Sequence, residues 1–338
     1  MVKAFVFGKF LPFHKGHEAM ISFALTKCDF LSVLVCCDEE ENIPGEVRKD
    51  WIETTFAYAN NIEVKVLHYD NRLLPNTSQT SASVSEIWAI EFKKHFPDYN
   101  LVITSEPYGE LVAGFMGIKH LAFDLFKEQY PVSASLIRND LFANWHYLLA
   151  AVKPYFAIKV AILGTESTGK TTLTEQLAKH YNCGFVLEAG RELIPDSTKF
   201  TFEDLHLVAG EHSKRIDEAI MGDSPLIIID TDIHITKSYA RFTFDRDLLV
   251  DGNIYNTNKA ELYLYLNNDA PYYQDGTRLN KIERDLLDRS HREVLTDHQI
   301  KLVEISGNWQ MRLEQAVSEV SQIIKSNDEK NIICHKGL

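Results

Sequence analysis

Two histidines, His14 and His17, lie three residues apart in the stretch KFLPFHKGHEAM, directly after an apolar run typical of a strand. Met20 and Phe23 follow at the spacing of an amphipathic helix. A helix N-terminus offers unpaired N–H groups and a positive dipole end, and both suit an anion. Neutral imidazoles can donate hydrogen bonds to phosphoryl oxygens there. The pattern favours a phosphate site over two alternatives, a structural pair of histidines and a metal site, for which no third ligand stands at a recognisable spacing.

A second stretch, AILGTESTGKTTLTEQL, contains the P-loop pattern between a β-rich run and an apolar helical stripe. Glycines in such a loop let successive backbone N–H groups wrap a phosphate. The lysine reaches the outer phosphates, and the following hydroxyl binds Mg²⁺. No guanine-reading Asn-Lys-x-Asp motif follows, so ATP is the expected nucleotide. The predicted ATP site consists of Gly164, Thr165, Glu166, Ser167, Thr168, Gly169, Lys170, Thr171 and Thr172.

The segment PLIIIDTD (225–232) supplies acids at the end of a second buried strand. We expect Asp230 to bind the Mg²⁺ hydration shell beside Thr171. Asp232 could face the hydroxyl group that accepts a phosphoryl group, or it could cap the helix that follows. The sequence leaves these two roles of Asp232 open.

Arginines near these motifs are further candidates for contacts with phosphate. Arg278 and Arg284, in DGTRLNKIER, could close over a transferring phosphoryl group. Arg191, in EAGRE, could contact a substrate beside the P-loop, or it could form a surface salt bridge. A short P-loop domain of this kind suits a small-molecule kinase.

Apolar runs alternate with helical periodicity along almost the whole chain, which predicts an α/β protein with two doubly wound parallel sheets. We expect the first domain over 1–153, the second over 154–326 and a polar tail over 327–338, with Pro154 ending a helix at the junction. Predicted strands are KAFVF, LSVLVCC, IEVKVLH and LVITSE in the first half, and AIKVAILG, LIIIDTD, LYLYLN and IKLVEIS in the second.

The composition limits the class of protein. A formal net charge of −13 over 338 residues argues against general nucleic-acid binding, because phosphate backbones recruit basic surfaces. The five cysteines have no zinc-type spacing, and no apolar run is long enough to span a membrane. We therefore expect a cytoplasmic protein that neither binds nucleic acid nor inserts into a membrane. The oligomeric state stays open, a homo-oligomer included.

The motif His14-Lys-Gly-His17 resembles the signature of the nucleotidyltransferase superfamily, whose members transfer a nucleotidyl group from a triphosphate. A second element of that superfamily, Ser-x-x-x-Ile-Arg, is matched by Ser133, Ile137 and Arg138. Arg48 falls where the superfamily has an arginine. Further residues resemble its nucleotide-contacting turns: Gly8, Lys9, Phe10 and, within TSEP, Ser105. The resemblance implies a Rossmann-like nucleotidyltransferase domain.

Such a domain followed by a P-loop kinase domain resembles one family, the bifunctional nicotinamide mononucleotide adenylyltransferases and ribosylnicotinamide kinases of the NadR type. The resemblance covers about residues 1 to 325. Some members begin with a helix-turn-helix repressor domain, whereas this chain starts at the first strand, so no repressor role is expected.

The resemblance implies a two-step synthesis of NAD. The kinase would phosphorylate the 5′-hydroxyl of nicotinamide riboside with ATP and Mg²⁺. Nicotinamide mononucleotide would then attack the α-phosphorus of a second ATP, giving NAD and pyrophosphate. By resemblance, Lys9 and Ser133 would position the triphosphate. In the first domain, His14, His17 and Arg138 would stabilise developing charge. In the kinase domain, Lys170 and Thr171 would hold the phosphates and the metal, and Arg278 would steady the transferred group. An acid there, Asp230 or Asp232, would orient the hydroxyl.

Two alternatives remain from the sequence. The fusion could act on another phosphorylated metabolite, or the chain could be a nucleotide sensor that binds ATP and NAD without turnover. An intact set of lysine, histidine and arginine candidates favours turnover.

Overall fold

Two compact units make up the protein in its computed structural model, which describes residues 1–76, 80–194, 199–269 and 281–333. Residues Met1–Lys153 form most of the first unit, and Pro154–Asn327 form the second. Each unit contains one five-stranded sheet, and every strand pair recorded within these residues is parallel. The predicted fold class is confirmed.

The first unit has the strand order β3-β2-β1-β4-β5. The chain therefore builds outward on one side of β1 and then crosses to the other side with β4. In sheets of this kind, ligands bind where the order reverses, beyond the carboxyl ends of the strands. The strands are β1 (Lys3–Gly8), β2 (Phe30–Asp38), β3 (Ile62–Tyr69), β4 (Leu101–Thr104) and β5 (Lys119–Ala122).

Helices in the first unit follow the strands in alternation: α1 (Lys15–Leu25), α2 (Gly45–Thr55), α3 (Ala82–His95), α4 (Tyr108–Met116), α5 (Ala134–Asn139) and α6 (Leu141–Asn144), with a 3₁₀ turn at Trp145–Tyr147. Because helices cover a parallel sheet, its inner strands are almost wholly apolar. In β2 the eight residues after Phe30 are all buried. Behind β1, the rings of Phe5 and Phe96 stack with centroids 4.5 Å apart. This core fixes the end of β1, from which the histidine motif projects.

The second unit has the strand order β10-β9-β6-β8-β7. Its strands are β6 (Ile158–Leu163), β7 (Gly184–Val186), β8 (Leu226–Asp230), β9 (Leu262–Leu266) and β10 (Leu302–Ile305). Strand β6 lies at the centre and pairs with β8, with Ile162 opposite Asp230. The P-loop after β6 and the acids after β8 therefore begin side by side at one edge of the sheet.

The helices of this unit are α7 (Lys153–Phe156), α8 (Lys170–Tyr181), α9 (Gly190–Leu193), α10 (Phe202–Ile220), α11 (Ile233–Phe244), α12 (Gly252–Asn258), α13 (Lys281–Asp297) and α14 (Trp309–Ile333). Pro154 lies in the first turn of α7, so the prediction that it ends a helix is wrong. A proline fits that turn because its missing N–H would have no partner there. None of the helices in the described ranges is both long and apolar enough to cross a membrane.

Candidate functional site

In the first unit, His14 is the N-cap of α1. Its extended backbone lets Nδ1 accept a hydrogen bond from the N–H of Gly16 at 3.1 Å. Since Nδ1 is an acceptor, a neutral His14 carries its proton on Nε2. The capping bond thereby fixes the tautomer that leaves Nε2–H as a donor.

His17 lies against His14 one turn further along α1. The two rings stack with centroids 3.7 Å apart and planes 21° apart. Phe10 packs edge-on against His17, at 5.0 Å between ring centroids. Among the described residues, the buried Nδ1 of His17 has no hydrogen-bond partner. No three histidine, cysteine or acidic side chains in the described part of the chain are grouped as a metal site.

Both imidazoles are held neutral. Burial lowers the pKa of His14 to about 3, helped by the positive charges of Lys127 and Arg138. The pKa of His17 is lowered well below its ordinary value, first by burial and then by His14 and Lys127. Near pH 7 the pair therefore acts as hydrogen-bond donors without a charge of its own, beside two cationic side chains.

Arg138 is fixed to the turn that carries the histidines. Its Nη1 donates to the backbone carbonyl of Leu11, and its Nη2 donates to Ser135 Oγ at 3.0 Å. The helix that bears it, α5, is capped by Ser133, whose hydroxyl accepts from the N–H of Leu136 at 3.1 Å. The structure thus brings the predicted Ser133 and Arg138 to the same place as the two histidines.

The turn after β1 is held by Arg48, which is fully buried. Its Nη1 donates to the carbonyl of Lys9 at 2.8 Å, and its Nη2 lies 2.7 Å from Glu41 Oε2. The other oxygen of that carboxylate is 2.9 Å from Lys9 Nζ. Phe10 follows with φ +49° and a buried side chain, next to Gly8. Arg48 thereby keeps the Gly8–Phe10 turn in shape from inside the protein.

Sequence reasoning missed Lys127. It lies in the loop after β5, where the carboxylate of Asp124 accepts hydrogen bonds from three successive backbone N–H groups. Its Nζ is 3.3 Å from Glu106 Oε1, in the turn after β4 that also holds the predicted Ser105. In the sequence, Lys127 is marked only by its position a few residues before Ser133, which is too little to predict a role.

In the second unit, the P-loop links β6 to α8. Gly164, Ser167 and Gly169 have positive φ values of 137°, 61° and 89°. A Cβ on Gly169 would lie 2.3 Å from the indole of Trp309, so glycine is required there by both conformation and space. The ammonium of Lys170 donates to the carbonyl of Thr165 at 3.1 Å.

Thr171 and Asp230 meet across the ends of β6 and β8. Thr171 Oγ1 donates to Asp230 Oδ2 at 2.6 Å. Asp230 is fully buried, and its Oδ1 has no hydrogen-bond partner among the described residues. A hydroxyl and a carboxylate with an unsatisfied buried oxygen are hard oxygen donors, which Mg²⁺ prefers alongside water and phosphate. The two residues therefore fit the predicted metal.

Asp232 caps α11. Its Oδ1 accepts from the N–H groups of His234 and Ile235 at 3.0 and 3.3 Å, and its Oδ2 is 2.5 Å from His234 Nδ1. His234 Nε2 is in turn 3.1 Å from the hydroxyl of Tyr255. The helix cap, one of the two roles left open for Asp232, is present.

Two buried arginines donate hydrogen bonds to the P-loop. Arg284 Nε donates to Thr165 Oγ1 at 3.2 Å. Arg312, which no motif signalled, donates from Nη1 to the carbonyl of Thr168 at 2.8 Å. Arg191 forms the surface salt bridge that the sequence left open, with its Nε 3.3 Å from Glu188 Oε2. The predicted Arg278 lies outside the described residues.

The buried histidines predict that acid destabilises the first unit. The pKa of His14 is about 3 in the fold, against about 6.5 in an unfolded chain, so between these values the unfolded chain binds more protons. This group leaves the stability unchanged above pH 6.5, and between pH 6.5 and about 3 the stability falls by about 1.4 kcal/mol for each pH unit.

Urea titrations at pH 7.5 and pH 5 should therefore give a lower free energy of unfolding at pH 5. The variant His14→Asn keeps a side-chain oxygen for the cap and does not titrate, so its loss at pH 5 should be smaller. An equal loss in both proteins would contradict the assignment.

The chain resembles known proteins over most of its length. A family model described as an AAA domain matches residues 159–312. The trifunctional NAD biosynthesis/regulator protein NadR of Escherichia coli (strain K12) is 26% identical over 326 residues, which span 89% of this chain and 78% of that protein. The protein of the same name from Salmonella typhimurium is also 26% identical, over 94% of this chain and 82% of its own length.

Two solved structures share the fold of the whole chain. A NadR protein in complex with NAD and AMP-PNP is 18% identical, with a TM-score of 0.64 and 95% of each chain covered. A NadR protein in complex with NR is 19% identical, with a TM-score of 0.63 and the same coverage. The chain therefore shares its fold with these two structures.

Proposed function

We propose that this homologue of the NadR proteins makes NAD in two steps, phosphorylating nicotinamide riboside with ATP and then adenylylating the mononucleotide with a second ATP. The observation that carries the proposal is the combination of a histidine-capped helix in the first unit and a P-loop in the second. This combination occurs in a chain that aligns along most of its length with proteins named for NAD biosynthesis.

In the kinase unit, the P-loop amides and Lys170 would bind the triphosphate. Thr171 and Asp230 would hold Mg²⁺, which supplies positive charge that neutralises the phosphate oxygens. Asp232 would keep the β8–α11 turn in place through its cap, so that Asp230 stays beside Thr171. Arg278 remains our candidate for the residue that contacts the transferring phosphoryl group.

In the first unit, the phosphate of nicotinamide mononucleotide would attack the α-phosphorus of ATP in line and release pyrophosphate. The donors would be Nε2 of His14 and a ring nitrogen of His17, with Arg138 as the neighbouring positive charge. Preorganised donors of this kind stabilise charge that develops in the transition state, and no covalent intermediate is needed. Lys9 and Ser133 would position the triphosphate, beside the turns that hold Gly8, Phe10 and Ser105.

A time course tests the proposal directly. Purified protein is incubated with Mg-ATP and nicotinamide riboside, and mononucleotide, NAD and pyrophosphate are followed. We expect the mononucleotide to rise first, and NAD and pyrophosphate to appear in equal amounts. Turnover of a different phosphorylated metabolite in preference to these substrates would favour the rival fusion enzyme, and ATP binding without turnover would favour a sensor. Because both reactions consume ATP, we place the enzyme in the cytoplasm.

Removing the hydroxyl of Thr171 should weaken Mg²⁺ binding in the kinase unit alone. In Thr171→Ala, the Mg²⁺ concentration for half-maximal riboside phosphorylation should rise roughly tenfold or more. The Mg²⁺ dependence of adenylylation should not change, because Thr171 belongs to the second unit. Thr296→Ala, in which an exposed helix hydroxyl is removed, is the matched control. A Thr171→Ala protein with an unaltered Mg²⁺ requirement would argue against this ligand.

A further inference from the structure

Glu166 is an acid in the middle of a loop that has to wrap a polyanion. A carboxylate that faced the phosphates would repel them, at short range and in a partly desolvated site. The backbone amides and Lys170 of the same loop, by contrast, attract the phosphates. The Glu166 side chain must therefore face a part of the site other than the phosphates.

The contacts of Glu166 support this division. Its Oε1 lies 3.5 Å from the hydroxyl of Tyr239, on α11. Its Oε2 is buried and has no hydrogen-bond partner among the described residues. Buried carboxylate oxygens are almost always satisfied in native structures, so this atom calls for a donor that a ligand would bring.

The surroundings of Glu166 contain a second carboxylate, that of Glu188. The pKa of Tyr239 is raised well above its ordinary value, first by burial and then by Glu166 and Glu188. The carboxylate of Glu188 also pairs with Arg191, whose side chain is mostly exposed. The ring of Tyr239 packs edge-on to His291, with centroids 5.5 Å apart, and this contact fixes the Tyr239 side chain beside the P-loop acid.

We propose that Glu166 is a specificity residue for the phosphate acceptor. Its buried oxygen, which has no partner among the described residues, accepts a hydrogen bond from a nucleoside hydroxyl, and its charge favours a positively charged base. The inference rests on the proposed kinase function and deepens it. The ligand class is a cationic ribonucleoside, and an uncharged nucleoside of the same shape gains only the hydrogen bond.

The variant Glu166→Gln tests this in the full-length protein, because glutamine keeps the shape and removes the charge. We expect KM for nicotinamide riboside to rise about tenfold or more, as for loss of a charged hydrogen bond, while KM for ATP changes less than twofold. The preference for nicotinamide riboside over its reduced, uncharged form should fall by a similar factor. Glu192→Gln, whose partner is Arg215 on the protein surface, controls for the change in net charge.

Calorimetry separates failure of the inference from failure of the proposed function. If the wild-type protein transferred no phosphate to the riboside, the proposed function would be wrong. The dissociation constants of nicotinamide riboside and its reduced form would still show whether Glu166 selects the cation. Equal affinity of wild type and Glu166→Gln for the cationic riboside would overturn the inference. So would a variant in which only ATP binding is weakened. A thermal melt like that of wild type shows that each variant is folded.

Discussion

Replacing Lys170 by alanine is expected to abolish riboside phosphorylation and to leave adenylylation of the mononucleotide at the wild-type rate. The expected loss is at least about a hundredfold in kcat, the size found when one preorganised charge-stabilising donor is removed. The reason lies in the position of the ammonium group. Lys170 begins α8 directly after Gly169, and its Nζ points back over the loop to the carbonyl of Thr165.

The two activities are measured separately, with nicotinamide riboside or nicotinamide mononucleotide as the only acceptor. Lys179→Ala is the matched control, because Lys179 is an exposed lysine on the same helix. It should retain both rates. If Lys170→Ala were folded and had lost both activities, the assignment of one reaction to each unit would be wrong. Unchanged phosphorylation by Lys170→Ala would show that Lys170 has no role in phosphate transfer.

Most of the fold could be predicted from the sequence because the inner strands are continuous apolar runs. All eight predicted strands are present, and the predicted KAFVF and LIIIDTD agree with the ends of β1 and β8 to within two residues. The two strands that were missed, β5 and β7, lie at the edges of their sheets. Three of the four residues of KHLA in β5 are exposed, so this strand has no apolar pattern to detect.

The candidate site was predictable where function depends on a short local motif. The P-loop and the histidine pair each lie within ten residues of chain, so residue spacing is enough to find them. Arg48 and Arg312 were not assigned roles, since each acts on a backbone carbonyl that is remote in sequence. The cap made by Asp232, and the Glu166 oxygen that has no partner among the described residues, depend on where side chains point. Such directions follow from tertiary packing, which a single sequence does not reveal.

His17→Ala is expected to produce the opposite phenotype to Lys170→Ala, with NAD synthesis lost and riboside phosphorylation kept. We expect kcat for adenylylation to fall roughly 10²- to 10³-fold, because a neutral donor is removed from beside the α-phosphate. The ring also packs against His14 and Phe10, so alanine leaves a gap and lowers the stability of the first unit.

A second variant separates chemistry from packing. His17→Asn keeps a polar donor, and we expect it to recover part of the rate lost in His17→Ala. His68→Ala, which removes an exposed histidine from β3, should leave both activities intact. Urea unfolding monitors the stability of each protein, and only variants folded under assay conditions are compared. Full adenylylation by a folded His17→Ala protein would leave the imidazole without a role in the transfer, and the phosphate site would then have to be assigned to Arg138 and the end of α1 alone.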